Sequence, residues 1–150
     1  MISIETHHMK ETRWVAQILA KELVLGGAKR RATVVALQGE LGAGKTTFSQ
    51  GFARALGITE RVLSPTFVLM KMYPLQKGNF RRLVHIDCYR ITSPKDIIPL
   101  GLAEILKDPK AIVLIEWAER IKKILPRDAM YLSFSHGKHI SERNIVIATL

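Results

Sequence analysis

The spacing of apolar residues predicts a helix near the start of the chain. Apolar side chains recur there at intervals of three and four residues, which places them on one face of a helix. They are Trp14, Val15, Ile18, Leu19 and Leu23. Thr12 is a candidate cap for the first turn, and Gly26-Gly27 is a typical stop signal. We expect this helix to follow a short strand at residues 3–5 and to pack its apolar face on a core.

A second helix is predicted from Lys45 onward, where Phe48, Phe52 and Leu56 repeat every four residues. Gly57 would close this helix in the left-handed conformation that favours glycine. Residues 33–37, with the sequence TVVAL, form a short β-branched and apolar run that is typical of a buried parallel strand. The chain therefore passes from a buried strand through a glycine-rich loop into a helix.

The loop between that strand and the second helix has the sequence GELGAGKT at residues 39–46, which fits G-x-x-x-x-G-K-[ST] at every fixed position. Its glycines permit a tight backbone path with amide hydrogens directed at phosphate oxygens, and the helix adds its positive end. Lys45 would reach the β- and γ-phosphates, and the Thr46 hydroxyl would complete a Mg²⁺ shell. The predicted nucleotide-binding residues are Gly39, Glu40, Leu41, Gly42, Ala43, Gly44, Lys45, Thr46 and Thr47.

The remaining pattern completes an α/β fold. Residues 67–73 and 82–87 are predicted strands of a hairpin-like insertion with its turn at residues 77–79. Residues 111–116 form another buried strand, and residues 130–135 and 144–149 form a closing pair around Gly137. We therefore predict one domain over residues 1–150, a P-loop NTPase-like three-layer sandwich with a central mixed β-sheet.

Two carboxylates follow buried strands and are candidates for the Mg²⁺ shell and for orienting water. Asp87 ends the run LVHI, and Glu116 ends the run AIVLI. Both would project to the ligand-binding edge of the sheet. The strand pattern favours Glu116 as the metal ligand together with Thr46 and leaves the division of labour open. The candidate catalytic residues are Lys45, Asp87 and Glu116.

Three further residues have a functional and a structural interpretation. Thr66, in Ser-Pro-Thr after the second helix, lies where switch loops sense the γ-phosphate, although this sequence also forms ordinary turns. Arg90 could stabilise phosphate charge, contact a partner or form an exposed ion pair. His85 is predicted to be a structural histidine, because no cysteine cluster accompanies it to form a zinc site.

Three simple observations bear on the nucleotide base, the partners and the cellular compartment. The Asn-Lys-x-Asp signature of many GTPases is absent, which favours ATP over GTP. A net charge of +10 makes nucleic acid a plausible partner, although scattered basic residues also suit an ordinary solvated surface. A single cysteine, Cys88, and the lack of a long apolar run predict a cytoplasmic protein without a membrane segment.

Four motifs occur in the order and approximate spacing of the bacterial TsaE family, which this chain resembles over nearly its whole length. They are GELGAGKTTF at residues 39–48, SPTF at residues 64–67, HIDCYR at residues 85–90 and IEW at residues 115–117. Beyond residue 118 the likeness is one of pattern only. Ala118 and the segment SPKD at residues 93–96 depart from the family pattern, which affects the partner surface rather than the nucleotide site.

The resemblance implies a Mg²⁺-dependent ATPase required for making threonylcarbamoyladenosine in tRNA. It implies association with the TsaB and TsaD transferase subunits, contact with tRNA through that complex, and ATP hydrolysis that resets the transferase between turnovers. The residues that it assigns to the nucleotide, metal or water are Lys45, Thr46, Thr66, Asp87, Glu116 and Trp117. A small-molecule P-loop kinase and a nucleotide-gated RNA-binding scaffold remain alternatives.

Overall fold

A computed structural model describes residues 1–63 and 69–148 of the chain. Its centre is a seven-stranded sheet with the strand order β1-β7-β6-β2-β5-β4-β3. The strands are β1 (Ile2–Thr6), β2 (Thr33–Gly39), β3 (Met70–Lys77), β4 (Phe80–Asp87), β5 (Ala111–Glu116), β6 (Met130–His136) and β7 (Arg143–Ala148). The α-helices are α1 (Met9–Gly26), α2 (Lys45–Ala55) and α3 (Leu102–Leu106).

The middle of the sheet is parallel and its edges are antiparallel. β2 pairs in parallel with β5 and β6, and β4 pairs in parallel with β5. β7 pairs antiparallel with β6 and β1, and β3 pairs antiparallel with β4. This arrangement confirms the predicted α/β class with a central mixed sheet.

Alternate residues of β2 face two different cores. Val35 and Leu37 pack into the core beneath α1 and α2. Val34 and Ala36 pack into the opposite core, beneath α3 and short 3₁₀ segments. The sheet therefore lies between two helical layers, and its central strands are buried on both faces, as expected for parallel strands.

α1 ends at Gly26 as predicted, but it begins at Met9, earlier than expected, and only part of its predicted apolar face is buried. Thr12 is not a cap: it lies buried inside the helix, and its hydroxyl is 2.9 Å from the Thr6 hydroxyl. Trp14 and Ile18 are 63% and 42% exposed. The helix instead buries small side chains against α2, where a Cβ added to Gly51 would lie 2.7 Å from the Arg13 backbone. Such a close approach leaves no room for large residues at the contact.

The other predicted elements are close to those observed. Phe48 and Phe52 are fully buried, and Gly57 has the left-handed φ of 88° that was expected. The hairpin turn at residues 77–79 is confirmed, but its strands are integral to the sheet rather than an insertion, because β4 pairs with β5. Residues 67, 68 and 149 of the predicted strands lie outside the described residues. No helix in the described ranges has the length and apolar character needed to cross a bilayer.

Candidate functional site

The loop from Gly39 to Gly44 joins the carboxyl end of β2 to the start of α2. Gly39, Gly42 and Gly44 have φ values of 122°, 72° and 104°, in the region that disfavours side chains. At Gly39 a Cβ would also lie 2.0 Å from the Phe134 carbonyl oxygen. Glycine at this position lets the loop turn directly beside β6. Within the loop Ala43 is buried, while Glu40 and Leu41 are exposed.

The first amides of α2 make no hydrogen bonds within the helix. The first N–H groups of an α-helix have no partner within the helix. The first helical hydrogen bond of α2 runs from the Phe48 N–H to the Gly44 carbonyl at 2.9 Å. The amides of Lys45, Thr46 and Thr47 come before it in the chain. These amides and the positive end of the helix dipole favour an anion here.

The Lys45 side chain is almost fully buried and folds back over the loop. Its ammonium donates to the carbonyl oxygens of Gly39 and Glu40 at 2.7 and 2.6 Å. It also lies 3.9 Å from the centroid of the Trp117 ring, a cation–π contact. Burial lowers the pKa of Lys45, an effect that the carboxylates of Glu119, Glu116, Asp87 and Glu40 oppose in that order.

Glu116 is a buried carboxylate held by several side chains. It is 2% exposed; Oε2 accepts from the Thr46 hydroxyl at 2.9 Å, and Oε1 accepts from the Ser49 hydroxyl at 2.8 Å. His85 Nε2 lies 2.9 Å from the same Oε1. Burial alone would raise the pKa of Glu116, but the bonds from His85, Ser49 and Thr46 outweigh it and lower the pKa. The side chain is therefore held as a carboxylate whose Oε2 faces Thr46.

Asp87 lies beside Glu116 at the same edge of the sheet, because the two residues are register partners on β4 and β5. Asp87 is 3% exposed, and its Oδ1 accepts from the Tyr89 amide at 2.9 Å. The parallel strands thus bring both candidate acids together, as their positions in the sequence predicted. Thr66 lies outside the described residues, and Arg90 is exposed.

Trp117 follows β5 with a left-handed backbone, at φ 58° and ψ 41°. It is the one non-glycine residue with positive φ in the described part of the chain. Its indole lies 5.1 Å from the Tyr89 ring, and the Arg120 guanidinium lies 5.6 Å from the indole and 5.7 Å from the Tyr89 ring. The unusual backbone directs the indole over Lys45, and Tyr89 and Arg120 support it.

A cleft of about 970 Å³ opens in front of the loop. One wall comes from the start of α1, with His8 and Met9, and another from Ser141 before β7 and Arg143 at its start. The loop, α2 and the end of β5 with the residue after it supply the other lining residues named here, which are Leu41, Gly42, Gly44, Lys45, Thr46, Thr47, Glu116 and Trp117. An ammonium and helix-start amides suit a polyphosphate, and a hydroxyl beside a buried carboxylate supplies the oxygen donors that Mg²⁺ prefers. The donor set therefore fits a polyphosphate with Mg²⁺.

Four residues of the site were not identified as such from the sequence. Ser49 could have been found, because it lies three residues after Thr46 on the same face of α2. His85 alternates with Asp87 along β4 and so shares its face, but only the pairing of β4 with β5 reveals its contact with Glu116. Glu119, whose Oε1 is 3.4 Å from the Gly39 amide, and Arg120 depend on the 3₁₀ path after β5. No local pattern in the sequence signals that path.

Comparisons with known proteins give consistent matches over most of the chain. Residues 6–145 match the family model described as threonylcarbamoyl adenosine biosynthesis protein TsaE. The chain is 36% identical to the Bacillus subtilis tRNA threonylcarbamoyladenosine biosynthesis protein TsaE over 127 residues, covering 85% of this chain and 73% of that protein. It is 39% identical to the TsaE of Treponema pallidum over 110 residues, which covers 73% of this chain and 78% of that protein. A crystal structure of Bacillus subtilis YdiB superposes with a TM-score of 0.75 at 31% identity, covering 99% of this chain and 84% of that one.

Proposed function

The chain belongs to the TsaE family of threonylcarbamoyladenosine biosynthesis proteins, and we propose that it binds and hydrolyses Mg-ATP in support of that modification of tRNA. The observation that carries the proposal is the hydrogen bond between the Thr46 hydroxyl and the Glu116 carboxylate, beside the Lys45 ammonium. It joins a phosphate-binding loop to a buried acid on the next strand. A loop that served only as a structural turn would not need this acid.

The proposed roles follow from the contacts of each side chain. Lys45 exchanges its two carbonyl contacts for phosphate oxygens, and the amides that begin α2 bind the same polyphosphate. Thr46 and Glu116 would hold Mg²⁺, which would offset the phosphate charge while the terminal phosphoryl group passes from ATP to water and ADP leaves. Asp87, next to Glu116, orients the attacking water or shares the metal.

The partners proposed for this cytoplasmic protein are the TsaB and TsaD transferase subunits, and hydrolysis resets that transferase between turnovers. An accessory ATPase of this kind turns over slowly alone and faster with its partners. The cleft supports this interpretation, because the site is open to the surface beside α1 and the β6–β7 loop. A partner that covers the opening would exclude water and strengthen the electrostatic contacts inside.

The proposal is tested by measuring ATP hydrolysis with and without the purified TsaB–TsaD pair. We expect slow turnover alone, stimulation by the pair, and loss of both in Lys45→Ala. Lys110→Ala, which removes an exposed lysine at the start of β5 outside the cleft, is the matched control and should behave as wild type. Unchanged turnover in Lys45→Ala would exclude the proposed site.

The same assay separates the alternatives. A small-molecule kinase would form ADP only in equal amount to a phosphorylated metabolite, whereas an ATPase forms inorganic phosphate. A nucleotide-gated RNA scaffold would bind tRNA tightly without any effect of TsaB–TsaD on turnover. Free phosphate released in step with ADP, and faster with the transferase pair, distinguishes the proposed function from both.

A further inference from the structure

A second cleft, distinct from the nucleotide cleft, lies between α1, the end of α2 and the loop that follows α2. Its volume is about 710 Å³. Three arginines line it, one from each of these elements: Arg13, Arg54 and Arg61. Gln17, Gln50 and Thr59 add neutral hydrogen-bonding groups to the same surface. The walls are fixed relative to each other, because Gly51 lets α2 lie directly against the backbone of Arg13.

The positive charge of this cleft is not neutralised within the described residues. Among them, no carboxylate lies within ion-pair distance of the three arginines. The acid of the cleft, Glu60, instead lies 3.4 Å from the Lys71 ammonium. Elsewhere the chain does pair a partly buried arginine, since Arg82 lies 2.8 Å from Asp108. The cleft thus holds three guanidinium groups and one carboxylate, that of Glu60, which pairs with Lys71 rather than with an arginine.

A role in stabilising α2 accounts for the presence of one of these arginines and not of the other two. Arg54 lies in the last turn of α2, where a cation complements the helix dipole. Arg13 lies in the first half of α1, and Arg61 lies beyond the end of α2, so neither has this role. Three guanidinium groups that line one cleft are instead well suited to phosphodiester oxygens, because each can donate two parallel hydrogen bonds.

From this charge complementarity we propose that the arginine cleft binds the phosphodiester backbone of tRNA. The inference rests on the proposed function, in which tRNA is the molecule that is modified, and it extends that function to direct contact with this chain. A net charge of +10 supplies the long-range attraction that such a contact needs. Arg13 lines both clefts, so RNA held here would lie next to the nucleotide site.

The test compares tRNA binding by two double variants of the full chain in fluorescence anisotropy over a range of salt concentrations. Arg54→Gln with Arg61→Gln alters the arginine cleft without touching the nucleotide cleft. Arg30→Gln with Arg31→Gln removes the same charge from a groove elsewhere. We expect the Arg54→Gln, Arg61→Gln double variant to bind tRNA about tenfold more weakly than wild type. The slope of log affinity against log salt should fall by about 2 in magnitude. The second pair should stay near wild type.

Three results would overturn the proposal: no tRNA binding by the wild type, equal losses in both double variants, or unchanged binding in the first. If the first double variant binds tRNA normally but is no longer stimulated by TsaB–TsaD, the cleft serves an acidic protein surface instead. Mg-ATP binding is measured on the same preparations. If the wild type does not bind Mg-ATP, the proposed function is contradicted. The role of the arginine cleft is decided separately, by tRNA binding alone.

Discussion

The Thr46 hydroxyl and the Glu116 carboxylate lie 2.9 Å apart although 70 positions separate them in the sequence. The bond joins the first turn of α2 to the carboxyl end of β5, next to the strand that leads into the glycine-rich loop. Both groups provide oxygen atoms, and the carboxylate is buried. This is the arrangement from which a Mg²⁺ ion could be held against a bound polyphosphate.

We predict that Thr46→Ala and Glu116→Gln each abolish the gain in ATP affinity that Mg²⁺ provides. ATP turnover should fall by about 100-fold, the effect of removing one preorganised electrostatic contact. Thr46→Ser keeps the hydroxyl and should restore most of the activity. Nucleotide titrations with Mg²⁺ and with EDTA measure the metal-dependent part. A full Mg²⁺ effect in Thr46→Ala would rule out the hydroxyl as a ligand.

Stability at low pH should depend on Glu116. Because its pKa is lower in the folded protein than usual, Glu116 adds stability above its unfolded pKa and loses it as the pH falls through the folded pKa. We expect the free energy of unfolding of wild type to decline with acidification below the ordinary glutamate pKa, and Glu116→Gln to decline less. Urea unfolding from about pH 7 to about pH 3 measures this difference. Glu104→Gln, at an exposed helix position, should follow wild type.

The donors that hold Glu116 can be tested separately from the metal ligands. His85→Ala leaves Oε1 of a buried carboxylate with one donor instead of two, which should reduce the free energy of unfolding by about 1–3 kcal/mol. Turnover should fall with little change in nucleotide affinity, because the carboxylate is less well oriented. His85→Gln retains an amide donor and should recover part of the loss. Equal turnover in the alanine variant and wild type would show that His85 only fills space.

Trp117 should report nucleotide binding by its fluorescence. The Lys45 ammonium lies 3.9 Å from the centre of its ring and would move when it exchanges carbonyl oxygens for phosphate. The other tryptophan, Trp14, is 63% exposed on α1. Trp14→Phe should keep the ADP-dependent change in emission, and Trp117→Phe should lose it. If the change follows Trp14 instead, the lysine does not move as proposed.

Local patterns in the sequence predicted the strands, α2 and the glycine-rich loop between β2 and α2, because hydrophobic periodicity and glycine placement act over a few residues. They also placed Asp87 and Glu116 at one sheet edge, since both follow buried strands. The prediction that Trp14 and Ile18 lie on the buried face of α1 was wrong. The close contact of α1 with Gly51 favours small residues, and this contact is set by tertiary packing rather than by local sequence. The contact of His85 with Glu116 likewise depends on strand order.

Gly39 should be among the glycines least tolerant of substitution. Gly39→Ala would place a Cβ 2.0 Å from the Phe134 carbonyl oxygen at a φ of 122°, which forces the loop or β6 to move. We expect a loss of about 2–4 kcal/mol in the free energy of unfolding, and weaker nucleotide binding. Gly26→Ala is the control, because a Cβ there meets nothing within 4 Å. Urea unfolding of both variants checks the difference, and similar stabilities would contradict it.

The central claim is that the loop at residues 39–46 binds a nucleotide through Lys45 and a metal through Thr46. Calorimetric titration of a non-hydrolysable ATP analogue with Mg²⁺ tests it most directly. We predict a saturable one-to-one signal for wild type, weakened by omission of Mg²⁺ and at least about 100-fold weaker in Lys45→Ala. The absence of binding heat in wild type, or equal affinity in Lys45→Ala, would contradict the claim.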